Sequence, residues 1–227
     1  MVKSSKELAQ YFDHTNLKAF AVEADFEKLC QESMEYGFKM VAINSFPVAL
    51  CKEFLKDSPV HVGAAISFPL GQTTIAVKAY ETEQAIKEGA DEIDYVVNVG
   101  KVKEGNFDYI KEEMETIVAI CRKNDVLSKV IFETCYLTKD EIKKIAEIAL
   151  EVLPDFIKTS TGFGTGGALL EDVKLMKSVV GDKVKVKASG GIKTLEQCLA
   201  LIDAGAERIG SSSSIAIVEA FKATYER

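Results

Sequence analysis

Short apolar runs rich in β-branched residues alternate with longer segments of helical periodicity along the chain. Gly, Pro, Ser or Asn stands at the junctions, as expected where strands and helices end. The short runs predict eight strands: Tyr11–Thr15, Lys39–Asn44, Val60–Ser67, Glu92–Asn98, Lys129–Thr134, Asp155–Thr161, Val184–Ser189 and Glu207–Ser211. The longer segments, rich in Glu, Lys, Ala and Leu, predict eight helices: Glu23–Tyr36, Pro47–Asp57, Thr73–Glu88, Asp108–Asn124, Thr138–Val152, Leu169–Val180, Thr194–Ala204 and Ser213–Tyr225.

Eight strand–helix units in 227 residues predict an α/β chain folded as a (β/α)₈ TIM barrel, whose usual length is about 250 residues. A doubly wound sheet is the competing architecture, because it has the same alternation. An internal echo favours the barrel: Ala85–Asp94 and Leu201–Gly210 each end a helix, turn through Gly-Ala and begin a strand. No linker or low-complexity tract divides the chain, so residues 1–227 are predicted to form one domain.

Composition narrows the classes of function. The net charge of −7 argues against a protein that grips nucleic acid or an anionic membrane. The N-terminal segment lacks the apolar stretch of a secretion signal, and five cysteines without a C-x-x-C pair fit a reducing cytoplasm. His14 and His61 are the only histidines, which leaves little for a zinc or iron site. We therefore expect a cytoplasmic protein with no metal and no cofactor.

Two glycine- and serine-rich segments follow the last two predicted strands. Ligands of TIM barrels bind at the carboxyl ends of the strands, and phosphate commonly binds after strands seven and eight. Here Gly190 and Gly191 follow strand seven, and the serine run 211–214 follows strand eight and leads into a helix. Exposed N–H groups and hydroxyls at a helix start suit an anion. The alternative is ordinary turn and helix-cap chemistry, but the two segments together favour phosphate.

Three charged residues interrupt predicted strands that should be almost entirely apolar: Asp94 in strand four, Lys158 in strand six and Lys187 in strand seven. A purely structural ion pair is one interpretation. Two lysines beside one aspartate favour a second interpretation, a catalytic one. A lysine near a second cation loses proton affinity and can attack a carbonyl as a free amine. Asp94 would then transfer protons. Lys185 has the same strand parity as Lys187, so a bulge or an ion pair at the opposite end is expected.

The segment Asp155–Phe163, DFIKTSTGF, resembles the signature of deoxyribose-phosphate aldolases around their Schiff-base lysine. Segments 13–15, 92–98, 186–192 and 208–213 agree in order, so the resemblance spans nearly the whole chain. It implies a metal-free class I aldolase that reversibly splits 2-deoxy-D-ribose 5-phosphate into acetaldehyde and D-glyceraldehyde 3-phosphate. By this resemblance Lys158 is the nucleophile, Lys187 lowers its proton affinity, and Asp94 relays protons together with Lys187 and a water.

The predicted substrate-binding residues, most of them implied by the resemblance, are Asp13, Thr15, Asn44, Thr161, Gly162, Gly190, Gly191, Lys193, Gly210, Ser212 and Ser213. Asn44 departs from the family, because many relatives have a cysteine there, and it is expected to bind polar groups of the substrate instead. Asp13 and Thr15 would lie near the substrate hydroxyls, and the glycines and serines near its phosphate. The chain departs from the family at Phe163, where some members have a phosphate-binding lysine. Lys193 is the candidate for the missing charge.

The expected partners are small molecules, a phosphosugar and acetaldehyde, together with a second copy of the chain in a homodimer. Neither nucleic acid nor a membrane is expected. Three alternatives stay open: a related aldolase for larger ketose phosphates, a regulatory protein that binds a phosphosugar without reacting, and a purely structural barrel.

Overall fold

Eight parallel strands close into a barrel in the computed structural model, which describes residues 2–226. Met1 and Arg227, the two ends of the predicted domain, lie outside the described residues. The strands are β1 Phe12–Thr15, β2 Met40–Asn44, β3 His61–Ile66, β4 Glu92–Val96, β5 Leu127–Ile131, β6 Phe156–Lys158, β7 Lys185–Ser189 and β8 Arg208–Ser211. The helices are α1 Ser5–Ala9, α2 Glu23–Tyr36, α3 Val48–Phe54, α4 Ile75–Lys87, α5 Val99–Lys103, α6 Phe107–Lys123, α7 Lys139–Val152, α8 Leu170–Val180, α9 Leu195–Asp203 and α10 Ser214–Tyr225.

The strand order confirms the predicted TIM barrel. Each strand pairs in parallel with the next one in the chain, and β8 returns to β1, where Asp13 lies opposite Gly210. A doubly wound sheet would leave two open edges, so that alternative is wrong. No helix among residues 2–226 is long and apolar enough to span a membrane.

Two short helices were absent from the predicted pattern. Helix α1 is capped by Ser4, whose side chain accepts a hydrogen bond from the N–H of Glu7, and the helix packs against α10. Helix α5 is capped by Asn98, whose side-chain oxygen accepts a hydrogen bond from the N–H of Lys101. The predicted fourth strand therefore ran two residues too far, because Asn98 caps a helix instead of extending β4.

The apolar core lies between the barrel and its ring of helices. Alternate residues of the strands face outward, and Tyr95, Val130, Ile157, Val186 and Ile209 are all fully buried there. The opposite parity faces the barrel interior. Those positions are unusually polar, since they include Asp94, Lys158 and Lys187, all of which are buried.

A second buried ion pair joins α4 to α6 outside the barrel. Nζ of Lys78 lies 2.5 Å from a carboxylate oxygen of Glu113 and donates to the carbonyl of Val96, 2.6 Å away. Glu113 also accepts from the N–H of Asn98 at 3.1 Å. Burial lowers the pKa of Lys78 and raises the pKa of Glu113, in each case against the effect of the partner. The pair thus holds the end of β4 in place, although burying its two charges away from water is unfavourable.

We expect Lys78→Met to lower the free energy of unfolding by about 3–5 kcal/mol, because it leaves the Glu113 carboxylate buried without its cation. The double variant Lys78→Met/Glu113→Leu should regain most of that loss, since both charges are then removed together. Urea unfolding of the two variants and the wild type measures the difference. A double variant no more stable than Lys78→Met would contradict this view of the pair.

Candidate active site

Asp94 brings the two predicted lysines together inside the barrel. One oxygen of its carboxylate, Oδ2, lies 2.7 Å from Nζ of Lys158 and 2.6 Å from Nζ of Lys187. The register explains this meeting, because Lys158 on β6 lies directly opposite Lys187 on β7. All three side chains are at least nine-tenths buried. The three charges singled out in the sequence are therefore one hydrogen-bonded group.

The ionic network continues below these residues, towards the amino-terminal end of the barrel. Lys129 on β5 contacts the other oxygen of Asp94 at 2.6 Å and Glu92 at 2.5 Å. Arg208 on β8 bridges Glu92 and Asp13, at 3.0 Å and 2.5 Å. The Asp13 carboxylate also contacts the ammonium group of Lys187. Every buried charge in this part of the barrel therefore has an oppositely charged partner.

The strands contain more buried charged residues than the three that the sequence predicted. Glu92, Lys129 and Arg208 are buried as well. Sequence reasoning missed them because each stands at or next to the start of a predicted strand, where charge is usually solvated, whereas β5 in fact begins two residues before Lys129. Strand parity could have found one of them, since Glu92 is two residues before Asp94 and so faces the same interior. Asp13 entered the prediction only through the family resemblance.

Neither of the two features predicted for Lys185, a bulge in strand seven or an ion pair, is found among residues 2–226. Strand β7 runs regularly from Lys185 to Ser189, and Lys185 is exposed at its amino-terminal end. Its Nζ lies 5.5 Å from the centre of the Phe156 ring, in a cation–π contact. The expected bulge is therefore absent from β7, and the contact that Lys185 makes is with an aromatic ring instead of a carboxylate.

The surroundings shift the pKa values of Lys158 on β6 and Lys129 on β5 in opposite directions. Burial, together with the nearby positive charges of Lys187 and Lys129, lowers the pKa of Lys158 to about 8 against the attraction of Asp94. For Lys129, burial alone would lower the pKa, but Asp94 and Glu92 outweigh it and hold the pKa above its usual value. Asp94 is held well below its usual pKa by its lysines, although burial opposes this. Lys158 is thus able to lose its proton near neutral pH.

A cavity of about 230 Å³ opens above Lys158 and Lys187 at the carboxyl end of the strands. It contains ten of the predicted site residues: Thr15, Lys158, Thr161, Gly162, Lys187, Gly190, Gly191, Lys193, Gly210 and Ser212. Ser189 and Ser211, from the two predicted anion-binding segments, line it as well, and so do four residues that the sequence did not single out: Asn16, Leu17, Lys18 and Ala42. The reactive amine therefore faces a small pocket of the size that holds a small metabolite.

One wall of this cavity is built for an anion. The backbone N–H groups of Gly162, Gly191 and Ser212 make no hydrogen bond to any residue between 2 and 226. Gly162 and Gly191 have φ of 88° and 75°, which glycine adopts without strain. Ser212 stands just before α10, where the positive end of the helix dipole attracts negative charge. Phosphate is the anion that suits such free donors.

Four predicted site residues lie outside the cavity lining. Asp13 and Asp94 lie beneath it, where they contact the lysines. Asn44 donates from its side-chain amide to the carbonyl of Leu17 at 3.4 Å, so it supports the loop after β1. Ser213 donates its N–H to the hydroxyl of Ser211 at the start of α10. Asp13 and Asp94 therefore act on the lysines from below, and Asn44 and Ser213 support the pocket walls.

Two exposed lysines supply charge around the cavity. Lys193 lines it, as the prediction for the missing charge at Phe163 requires, and Lys18 in the loop after β1 lines it as well. Sequence reasoning missed Lys18, because a single lysine in a polar loop carries no distinguishing signal. Phe163 also lines the cavity, and its ring packs edge-on against Phe68 with centres 5.5 Å apart. Within residues 2–226, no cluster of three or more His, Cys, Asp or Glu side chains is arranged to hold a metal ion.

A closed barrel with a buried lysine pair below an anion-binding wall is the arrangement of the barrel aldolases that use a lysine amine. The chain belongs to the DeoC/LacD family of aldolases, whose model matches residues 8–219.

Curated relatives and solved structures agree with this assignment. The chain is 59% identical to the deoxyribose-phosphate aldolase of Lactobacillus acidophilus, with 95% of this chain and 91% of the relative covered. It is 51% identical to that of Thermococcus gammatolerans, with 94% and 96% covered. A solved aldolase designated QR15 superposes with a TM-score of 0.91 at 40% identity, covering 96% of this chain and 97% of its own. The tetrameric deoxyribose-phosphate aldolase of Aeropyrum pernix gives 0.90 at 29% identity, covering 96% and 92%.

We expect Lys187→Met to raise the pKa of Lys158, because it removes a nearby positive charge and leaves Asp94 freer to hold the Lys158 proton. The free amine would then form only at higher pH. The measurement is the pH dependence of acylation of Lys158 by a small amine-reactive reagent, followed by peptide mass spectrometry. In the wild type the rate should rise through a midpoint near pH 8, and in the variant through a more alkaline one.

Lys185→Met is the matched control for this experiment. It removes a lysine from the same strand, but one that is exposed at the far end of the barrel. Its midpoint for Lys158 should equal that of the wild type. An equal midpoint in Lys187→Met and the wild type would show that Lys187 does not set the proton affinity of Lys158.

Proposed function

We propose that this protein is a class I aldolase that reversibly cleaves 2-deoxy-D-ribose 5-phosphate into acetaldehyde and D-glyceraldehyde 3-phosphate. The observation that carries the proposal is the Lys158 amine, with its pKa lowered to about 8, at the floor of a cavity with a phosphate-binding wall. Curated relatives at about half identity or more carry the name of this activity.

Lys158 is the nucleophile in this mechanism. Its neutral amine adds to the C1 aldehyde of the open-chain sugar phosphate, and loss of water gives an imine. The C3 hydroxyl then loses its proton and the C2–C3 bond breaks, with its electron pair entering the imine system to give an enamine. D-Glyceraldehyde 3-phosphate departs. The enamine takes a proton at C2, and hydrolysis frees acetaldehyde and restores the Lys158 amine.

Asp94 and Lys187 move protons around this amine. The Asp94 carboxylate lies 2.7 Å from Lys158 and shares one oxygen with Lys187. It is therefore within hydrogen-bond reach of both proton transfers at this stage. The amine loses a proton after it adds to the aldehyde, and the carbinolamine hydroxyl gains a proton before it leaves as water. Lys187 also lines the cavity, so its ammonium group can pass a proton to the substrate through a water. No metal is needed for any of these steps.

The anion-binding wall supports a phosphorylated substrate. Gly162, Gly191 and Ser212 provide N–H donors, while Lys18 and Lys193 provide positive charge at the same cavity. Thr15, at the end of β1, is placed for a sugar hydroxyl. The names of the curated relatives support 2-deoxy-D-ribose 5-phosphate over a larger ketose phosphate. A regulatory protein that only binds such a ligand would have no use for a lysine of lowered pKa.

We expect acetaldehyde followed by borohydride to add one ethyl group to the wild-type chain, because reduction turns the imine into a stable amine. Peptide mass spectrometry should place that group on Lys158. Lys158→Arg should take up no ethyl group at this site and lose turnover of 2-deoxy-D-ribose 5-phosphate by at least about 1000-fold, the usual scale for loss of a covalent nucleophile. Both results should be the same with EDTA present.

Lys185→Arg serves as the matched control, since Lys185 is exposed at the opposite end of the barrel. It should keep the adduct and the turnover. Wild-type protein that binds inorganic phosphate but forms no adduct would favour the regulatory protein. Loss of turnover with EDTA, restored by zinc, would exclude the class I mechanism.

The proposal also includes an oligomeric state and a cellular location. We expect a homodimer, because two-fold symmetry is the commonest for soluble oligomers and the Aeropyrum pernix relative is itself an oligomer, a tetramer. Five free cysteines, four of them buried, fit the cytoplasm.

Light scattering after gel filtration should give twice the chain mass of 24.8 kDa at micromolar concentration. A mass equal to one chain, or to four chains, would contradict the dimer.

A further inference from the structure

Glu133 is a buried carboxylate whose place the mechanism above does not explain. It follows β5, its side chain is almost fully buried, and none of the ion pairs among residues 2–226 includes it. Its backbone has φ 58° and ψ 61°, a left-handed conformation that a glutamate rarely adopts. Strained residues of this kind persist where the surrounding structure holds them, and they concentrate at functional sites.

Backbone pairing fixes Glu133 beside the end of β6. The N–H of Phe132 donates to the carbonyl of Lys158 at 2.9 Å, and the N–H of Thr134 donates to the carbonyl of Thr159 at 2.9 Å. Glu133 lies between these two bonds, so its left-handed turn aims the side chain at the loop that follows Lys158. The packing is close: a Cβ on Gly164 would lie 3.2 Å from Cδ of Glu133.

The carboxylate of Glu133 holds Thr161 at two points. One oxygen accepts from the N–H of Thr161 at 3.1 Å, and the other accepts from the Thr161 hydroxyl in a short hydrogen bond. The same hydroxyl accepts from the N–H of Phe163 at 3.0 Å. These bonds fix the residues on both sides of Gly162 and thereby set the direction of its unbonded N–H group.

We infer that Glu133 is a positioning residue that holds the Thr161–Phe163 turn in the shape that binds the substrate phosphate. Thr161 then serves the site through its hydrogen bonds to Glu133 and Phe163, and its hydroxyl is not free for the substrate. This inference rests on the proposed function for its substrate, but the phosphate site can be tested separately. Glu133 touches neither the reacting carbon nor Lys158, so its effect should follow the phosphate group.

The experiment compares two substrates that differ only in phosphate. The kcat and KM values are measured for 2-deoxy-D-ribose 5-phosphate and for 2-deoxy-D-ribose, and inorganic phosphate is titrated as an inhibitor of the second reaction. Glu133→Ala and Thr161→Val should each raise the inhibition constant of phosphate at least about tenfold, the effect of losing hydrogen bonds to a charged group. The kcat/KM ratio of phosphorylated to unphosphorylated sugar should fall by a similar factor, mainly through KM.

Two conservative variants and a surface control complete the design. Glu133→Gln keeps the size and one accepting oxygen for the N–H of Thr161, and its NH2 group can donate to the Thr161 hydroxyl oxygen. Thr161→Ser keeps the hydroxyl, so both variants should recover most of the phosphate affinity. Glu171→Gln neutralises an exposed carboxylate at the start of α8 and should behave as the wild type. If Glu133→Ala does not fold, Thr161→Val carries the test, because it removes a single hydroxyl.

Equal losses for both substrates would overturn the inference, since they would mark general damage to the fold or the chemistry. An unchanged inhibition constant for phosphate in Glu133→Ala and Thr161→Val would overturn it as well. Wild-type protein that cleaves neither sugar would refute the proposed function instead. In that case, calorimetric titration of inorganic phosphate into the wild type and the two variants still decides the role of Glu133 by the same tenfold criterion.

Discussion

The carboxylate of Asp94 is the group on which the site depends, because three lysines on neighbouring strands share it. Lys129 contacts one oxygen, and Lys158 and Lys187 contact the other. Without this charge, three ammonium groups would face one another in a space from which water is excluded, and like charges that close cannot all stay protonated. Asp94 thus reduces the repulsion between the three ammonium groups, but its single negative charge cannot neutralise all three positive charges.

The barrel has room for such long side chains because other interior positions are small. A Cβ on Gly210 would lie 2.9 Å from Cβ of Ser189 and 3.3 Å from Cε of Lys187. A Cβ on Gly63 would lie 2.3 Å from the sulfur of Met40, which itself packs beside Lys129 and Arg208. Larger residues at these positions would displace the ionic network. Most barrels fill this interior with branched apolar side chains, whereas this one fills it with charge.

Sequence reasoning reached the fold and the central residues for a clear physical reason. Strand and helix periodicities are local, so the eight units and the misplaced charges Asp94, Lys158 and Lys187 were visible in the pattern itself. Glu92 and Arg208 were not, because a charge near a strand start is normally solvated and only barrel closure buries it. Glu133 gave no signal either, since its function depends on a left-handed backbone angle and on Thr161, 28 residues away.

The number of carboxylates that each lysine contacts decides which lysine becomes the nucleophile. Among residues 2–226, the barrel interior holds four cations, Lys129, Lys158, Lys187 and Arg208, against three carboxylates, Asp13, Glu92 and Asp94. Lys129 and Lys187 each contact two carboxylates, whereas Lys158 contacts only Asp94. The surplus of one positive charge is therefore relieved at least cost by deprotonating Lys158, the group with the fewest partners. Because Lys158 also lines the cavity, the same imbalance that weakens its hold on a proton leaves its free amine facing the substrate.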